Sequence, residues 1–128
     1  MNEVLSSKLI QLSEERASQM DIKVCIAVVD DGALLSSFKR MDGAFKGSID
    51  VAISKARTSA LFPFPTGKFG ESMRNNNLTG MEGTNGGLCG FAGGFPVKVD
   101  GEQLGAIGIS GGTAEQDAEI AEYALSKI

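Results

Sequence analysis

GFAGGFPVKVDGEQLGAIGISGGTAEQD, residues 90–117, reads as a β-hairpin that delivers the start of a helix. Phe95, Val97 and Val99 alternate with Pro96 and Lys98, Asp100-Gly101 supplies the two positive-φ positions of a type I′ turn, and Gln103 to Ile109 returns as a second strand. Gly105 and Gly108 stand in that second strand where packing favours side chains, so another backbone or a ligand is expected to come close. Gly111-Gly112 then leads into Thr113-x-x-Gln116, a capping box, with Glu115 and Asp117 in the first helical turn. A helix start of this kind presents unpaired N–H groups and a partial positive charge, which is a place to receive an anion.

Upstream, Leu5, Leu9 and Leu12 share one helical face, so residues 3–20 are predicted to form an amphipathic helix. Ile22 to Val29 is apolar on both alternating faces apart from Lys23, which suits a central strand. Asp31-Gly32 turns it into a second strand, Ala33 to Arg40. After a loop, Ser48 is expected to cap a helix in which Ile49, Ala52, Ile53, Ala56 and Ala60 form a stripe of mostly small residues. Such a stripe suits either tight core or a subunit contact. Phe62-Pro63-Phe64-Pro65 ends that helix. Thr66 to Asn76 reads as a short helix capped at Thr66, and Asn75 to Gly94, with seven glycines, as a long irregular segment of the sort that covers ligands or simply turns. The element order predicts one α+β domain spanning residues 1–128, an antiparallel sheet with helices against it, with parallel βαβ winding as the alternative.

The net charge of −4 and pI near 4.8, with no basic stripe, exclude nucleic acid and anionic membrane as partners. No leader pattern or apolar span is seen, and a cytoplasmic location is expected, with Cys25 and Cys89 reduced. There is no histidine. That removes Ser-His-Asp and Cys-His catalysis and histidine-ligated zinc, and no metal site is expected. Neither a P-loop nor a G-x-G-x-x-G occurs.

Five polar positions carry the remaining chemistry. Arg40 and Asp42 in RMDG are either a local ion pair pinning the loop or an anion clamp with its orienting carboxylate. Lys55, beside the small-residue stripe, is either a snorkelling surface lysine or a desolvated cation. Thr113 is a helix cap and Asp117 a first-turn carboxylate, unless an anion takes the same amides.

Three separated motifs, VVDDGALLSSFKRMDGA, SIDVAISKARTSALF and GGFPVKVDGEQLGAIGISGGTAEQDAEIA, resemble the GlcG/HbpS-like family of small haem-binding-type proteins, to which the C-terminal domain of PduO is also similar. The resemblance runs from about Ile22 to the end of the chain. It implies a profilin-like α+β fold, an antiparallel sheet with helices packed on both faces, and assembly into dimers or larger homo-oligomers. It also implies occurrence beside glycolate, propanediol or glycerol metabolism, with haem or corrinoid-related binding in some members. The positions that carry over are Arg40 and Asp42, Lys55 and Thr58, Gly93, Gly94 and Pro96, and Gly111, Gly112 and Asp117. Members that hold haem iron through histidine use a ligand this sequence lacks, leaving Tyr123, Met41, Met73, Met81 or a cysteine. The cofactor is thus unassigned. The leading expectation is a non-catalytic homo-oligomeric accessory protein that binds an anionic small molecule or tetrapyrrole at Gly111-Gly112-Thr113, with Arg40 or Lys55 nearby. Two other readings stay open: an enzyme on a small 2-hydroxy or 2-oxo acid using Lys55, and a structural partner of a cobalamin-dependent enzyme.

Overall fold

In the computed structural model, which describes all 128 residues, the Asn2 side chain caps helix α1 (Glu3–Gln19) by accepting from the Leu5 amide at 2.9 Å. Leu9 and Ala17 face inward from it. Its C-terminus closes with Asp21 at φ +56 and the Ile22 amide donating back to the Ala17 carbonyl, which satisfies a carbonyl the helix leaves open. Strand β1 (Cys25–Asp30) follows, buried on both faces up to Val29. The turn to β2 (Leu35–Arg40) is longer than the expected Asp31-Gly32 pair. Ala33 takes φ +63, and Asp30 Oδ1 accepts from the amides of Gly32 and Leu34, so Ala33 belongs to the loop and the strand starts two residues later.

Helix α2 (Ser48–Leu61) starts with Gly47 at its cap position. Ser48 is not the cap; it is the first helical residue, and it is buried. Helix α3 (Thr66–Asn75) likewise begins after Pro65, because the Thr66 hydroxyl is engaged elsewhere, accepting from the Gly94 amide at 2.9 Å. Residues 76–93 contain only a 3₁₀ turn at Met81–Gly83. Strands β3 (Gly94–Val99) and β4 (Glu102–Ser110) meet at Asp100 (φ +52) and Gly101 (φ +80), the two left-handed positions of a type I′ turn. Helix α4 (Ala114–Ser126) carries the full Thr113/Gln116 capping box.

The sheet is antiparallel throughout, in the order β2-β1-β4-β3, with helices on both faces. Ile26, Val28, Ile107 and Ile109 point toward α1 and α4, where they join Leu9, Ala17, Ile120 and Ala124. On the other face Cys25, Ala27, Val29 and Ala106 meet Ala52 and Ala56 of α2. The small-residue stripe of α2 is therefore core. Small residues on both sides let α2 lie close to the sheet, and Gly108 takes the contact to its limit: a Cβ there would run into the Ala52 carbonyl and come within 2.6 Å of the Ala56 nitrogen.

Gly108→Ala is expected to lower stability by roughly 1–3 kcal/mol, the usual cost of overpacking a filled core. The check is the midpoint of urea unfolding; an unchanged midpoint would mean that α2 can yield without loss.

Candidate functional site

The sheet end where β3 begins and β4 ends has no side chains at Gly93 and Gly94, and Lys55 of α2 occupies the space. Lys55 is 0 % exposed. Its Nζ donates to the Ile109 carbonyl at 2.8 Å and to Asp117 Oδ2 at 3.1 Å, and it lies 4.8 Å from the centre of the Phe91 ring. A Cβ at Gly93, which has φ +130, would fall within 2.6 Å of that Nζ. Asp117 is itself buried, and its Oδ1 accepts from the Gly112 amide at 2.9 Å. One carboxylate thus joins a cation from the α2 layer to the start of α4 in the opposite layer.

This arrangement assembles many of the residues named from sequence. Lys55, Gly93 and Gly112 all meet Asp117, and Gly94 stands beside the Lys55 backbone. Gly111, at φ +144, sits against Lys23 and Val24. Thr113 Oγ1 accepts from the Gln116 amide, and Gln116 Oε1 from the Thr113 amide. The amides at the head of α4 that were expected to meet a bound anion are thus held by the protein's own side chains. Thr58 Oγ1 donates to the Ser54 carbonyl and accepts from the Cys89 amide, tying the irregular segment to α2.

Arg40 and Asp42 lie apart from this group. They line a small groove of about 280 Å³ with Lys23, Lys39 and Glu14. The two do not pair; Arg40 instead donates through Nε and Nη2 to the Ala44 carbonyl at 3.3 and 3.2 Å, and so pins the loop. Lys39 takes Glu14 as its partner at 2.8 Å, and that contact raises its pKa.

The larger concavity is a cleft of about 760 Å³ between α2, α3 and residues 77–91. Val51 and Ser54 come from α2, Met73 and Arg74 from α3, and Leu78, Leu88 and Phe91 from the irregular segment. Its charged residues are Asp50 and Glu82 against the single cation Arg74. Cys89 opens onto it as a buried free thiol whose pKa is raised by burial, with the Phe91 amide and Lys55 pulling weakly the other way. Burial likewise raises Cys25, against Arg40. Sequence reasoning did not find this cleft. Its signals were the irregular segment 75–94, read as one that covers ligands or simply turns, and Gly70 and Gly90, two small residues that meet so closely that a Cβ on either would clash.

An open antiparallel sheet in the order β2-β1-β4-β3 with helices on both faces places the molecule in the profilin-like α+β class. The chain belongs to the HbpS-like family, whose model, described as haem-degrading protein HbpS-like, matches residues 2–126. It is 36% identical over 122 residues to a 15.0 kDa protein from the dhaT-dhaS intergenic region of Citrobacter freundii, covering 94% of this chain and 86% of that one. Protein GlcG of Escherichia coli is 38% identical over 110 residues, 86% of this chain and 81% of its own. A crystal structure of a PduOC–haem complex superposes with a TM-score of 0.94 at 30% identity, covering 100% of this chain and 94% of that one.

Two outcomes follow from the buried groups. Lys55→Met should cost about 3–5 kcal/mol, because Asp117 is left buried without its cation, and adding Asp117→Asn should restore much of the loss. Urea unfolding of the single and double variants checks this; equal stabilities would show that the pair is not coupled. Both thiols have folded pKa values above the ordinary 9.0, so the folded state holds these protons more tightly than the unfolded chain. That contribution is complete below the ordinary value and lost as pH rises through the raised one. Cys89→Ala should accordingly flatten the fall in stability as pH rises above the ordinary 9.0, measured by thermal unfolding against the native protein. An identical fall in both would count against the assignment.

Proposed function

We propose that this chain is a non-catalytic accessory protein that takes a flat, largely apolar small molecule with an anionic edge, of the tetrapyrrole class, into the cleft between α2, α3 and residues 77–91. The observation that carries the reading is the cleft itself. Its volume of about 760 Å³ suits a bound small molecule, and Val51, Met73, Leu78, Leu88 and Phe91 give it apolar walls. Arg74 spends one long hydrogen bond, 3.4 Å, on the Gly90 carbonyl and keeps further N–H groups for a carboxylate. The likeness to a protein solved with haem, over the full length of this chain, supports the same ligand class. In this reading Lys55 is structural: its ammonium is spent on Ile109 and Asp117, with Phe91 beside it.

Self-association belongs to the same proposal. Phe45, Phe64 and Phe91 are 73, 54 and 52 % exposed, and burial between copies would remove those rings from water.

Native mass spectrometry of the protein with and without hemin or protoporphyrin IX reports subunit number and cargo together. The expected result is a complex of more than one copy that gains ligand mass. Phe91→Ala should weaken binding roughly tenfold, the scale of a lost aromatic contact, and Arg74→Ala several-fold for a carboxylate-bearing ring. If neither probe binds, the ligand reading fails; a chain that stays monomeric at all concentrations defeats the assembly part alone.

A further inference from the structure

The side chains named from the sequence as candidate iron ligands each have a definite place, only Met73 and Cys89 among them at the cleft, and Met1 and Met20 pack against the core shared with α1 and α4. There is no histidine on any copy of the chain. Tyr123 is on α4, in the layer opposite α2, with the cations of Arg16 and Lys127 at 5.5 and 5.4 Å from its ring. Met41 is buried in the core shared with α1 and α4, and Cys25 beneath α2. Met81 belongs to the 3₁₀ turn and does not line the cleft.

Two sulfurs remain at the cleft. Met73 lines the cleft with its methyl against Gly90, but a thioether holds haem iron as the partner of a histidine, which no copy of the chain supplies. Cys89 is only 6 % exposed, with its amide held by Thr58 at 2.9 Å, so it offers a ring little open axial approach, and burial also pushes its thiol up. No three of Cys, Asp and Glu come together elsewhere. The cleft walls fit a tetrapyrrole's faces, and Arg74 fits its carboxylates, but the donor set does not fit its iron.

We infer that the cleft recognises the macrocycle and its acidic edge and is indifferent to the metal at its centre, an inference that rests on the ligand reading above. The ligand class is then wider than haem. It takes in metal-free porphyrins and rings whose metal brings its own axial ligands, since apolar contact and one Arg-carboxylate pair supply the recognition.

The test compares hemin with protoporphyrin IX on the native protein, by quenching of intrinsic fluorescence and by the visible spectrum of bound hemin. The two dissociation constants should agree within about threefold, well short of the tenfold that a single added bond of ordinary strength would give. Bound hemin should lack the low-spin bands of a strong axial ligand. Hemin binding tenfold or more tightly than the metal-free ring, or a low-spin spectrum, would overturn the inference while leaving the ligand reading in place. Failure of both rings to bind would overturn the two together.

Discussion

The buried ammonium of Lys55 is the constraint around which this end of the molecule is built. Taking a charge of that kind out of water costs several kcal/mol unless its donors are all met, and here the partners come from three directions. The Ile109 carbonyl closes one side, Asp117 another, and the face of Phe91 a third. A side chain at residue 93 would disturb this arrangement, because its Cβ would come within 2.6 Å of both the ammonium and the Ile109 carbonyl that receives it. A buried pair is weak evidence for stability taken alone, since an apolar replacement of similar shape can serve as well. What it specifies here is position: Asp117 must present one oxygen to Lys55 and the other to the Gly112 amide, which fixes where α4 begins relative to α2.

Much of the fold was legible because it rests on local chemistry. Asp100-Gly101 dictates its turn by φ alone, and Thr113 with Gln116 satisfies the first amides of α4 whatever lies nearby. The strands announce themselves through β-branched residues, and antiparallel pairing follows from the short hairpins. Two of the errors fall where tertiary contacts compete, and the third in a local turn. Thr66 has the side chain of a cap but lends its oxygen to Gly94, and Ser48 is drawn inside the helix it was expected to cap. Ala33 takes a left-handed conformation that its residue type does not signal.

The site was half legible for a related reason. Helical spacing puts Lys55 beside a small-residue stripe, but only the folded chain reveals that Gly93 leaves open the space its ammonium enters, with Gly94 and Gly108 making room for the Lys55 backbone and Cβ. Arg40 looked like its companion because both are cations near glycine turns, and it proves to serve the Ala44 carbonyl in another groove. The cleft was no more than hinted at by the irregular segment, because it carries no motif. Its walls are common apolar residues from three separate segments, which no spacing rule connects. The charge balance follows suit: with Lys55 neutralised by Asp117 and Arg74 outnumbered by Asp50 and Glu82, apolar contact must carry most of any affinity there.

Helix α2 links these parts because its two sides do different things. One side lies on the sheet through Ala52 and Ala56. The other holds residues 85–89, with Arg57 donating to the Asn85 carbonyl at 2.9 Å and Thr58 receiving the Cys89 amide at 2.9 Å. Two residues later the chain reaches Phe91, whose ring is shared between the cleft and Lys55. A molecule resting on that ring therefore bears on a side chain that helps to desolvate the buried cation. Exclusion of water from the outer face of Phe91 strengthens the attraction between ring and ammonium, because the field is screened less. Contact at the cleft and the joint between α2 and α4 are in this way parts of one electrostatic unit, although no charge of the ligand need ever touch Lys55.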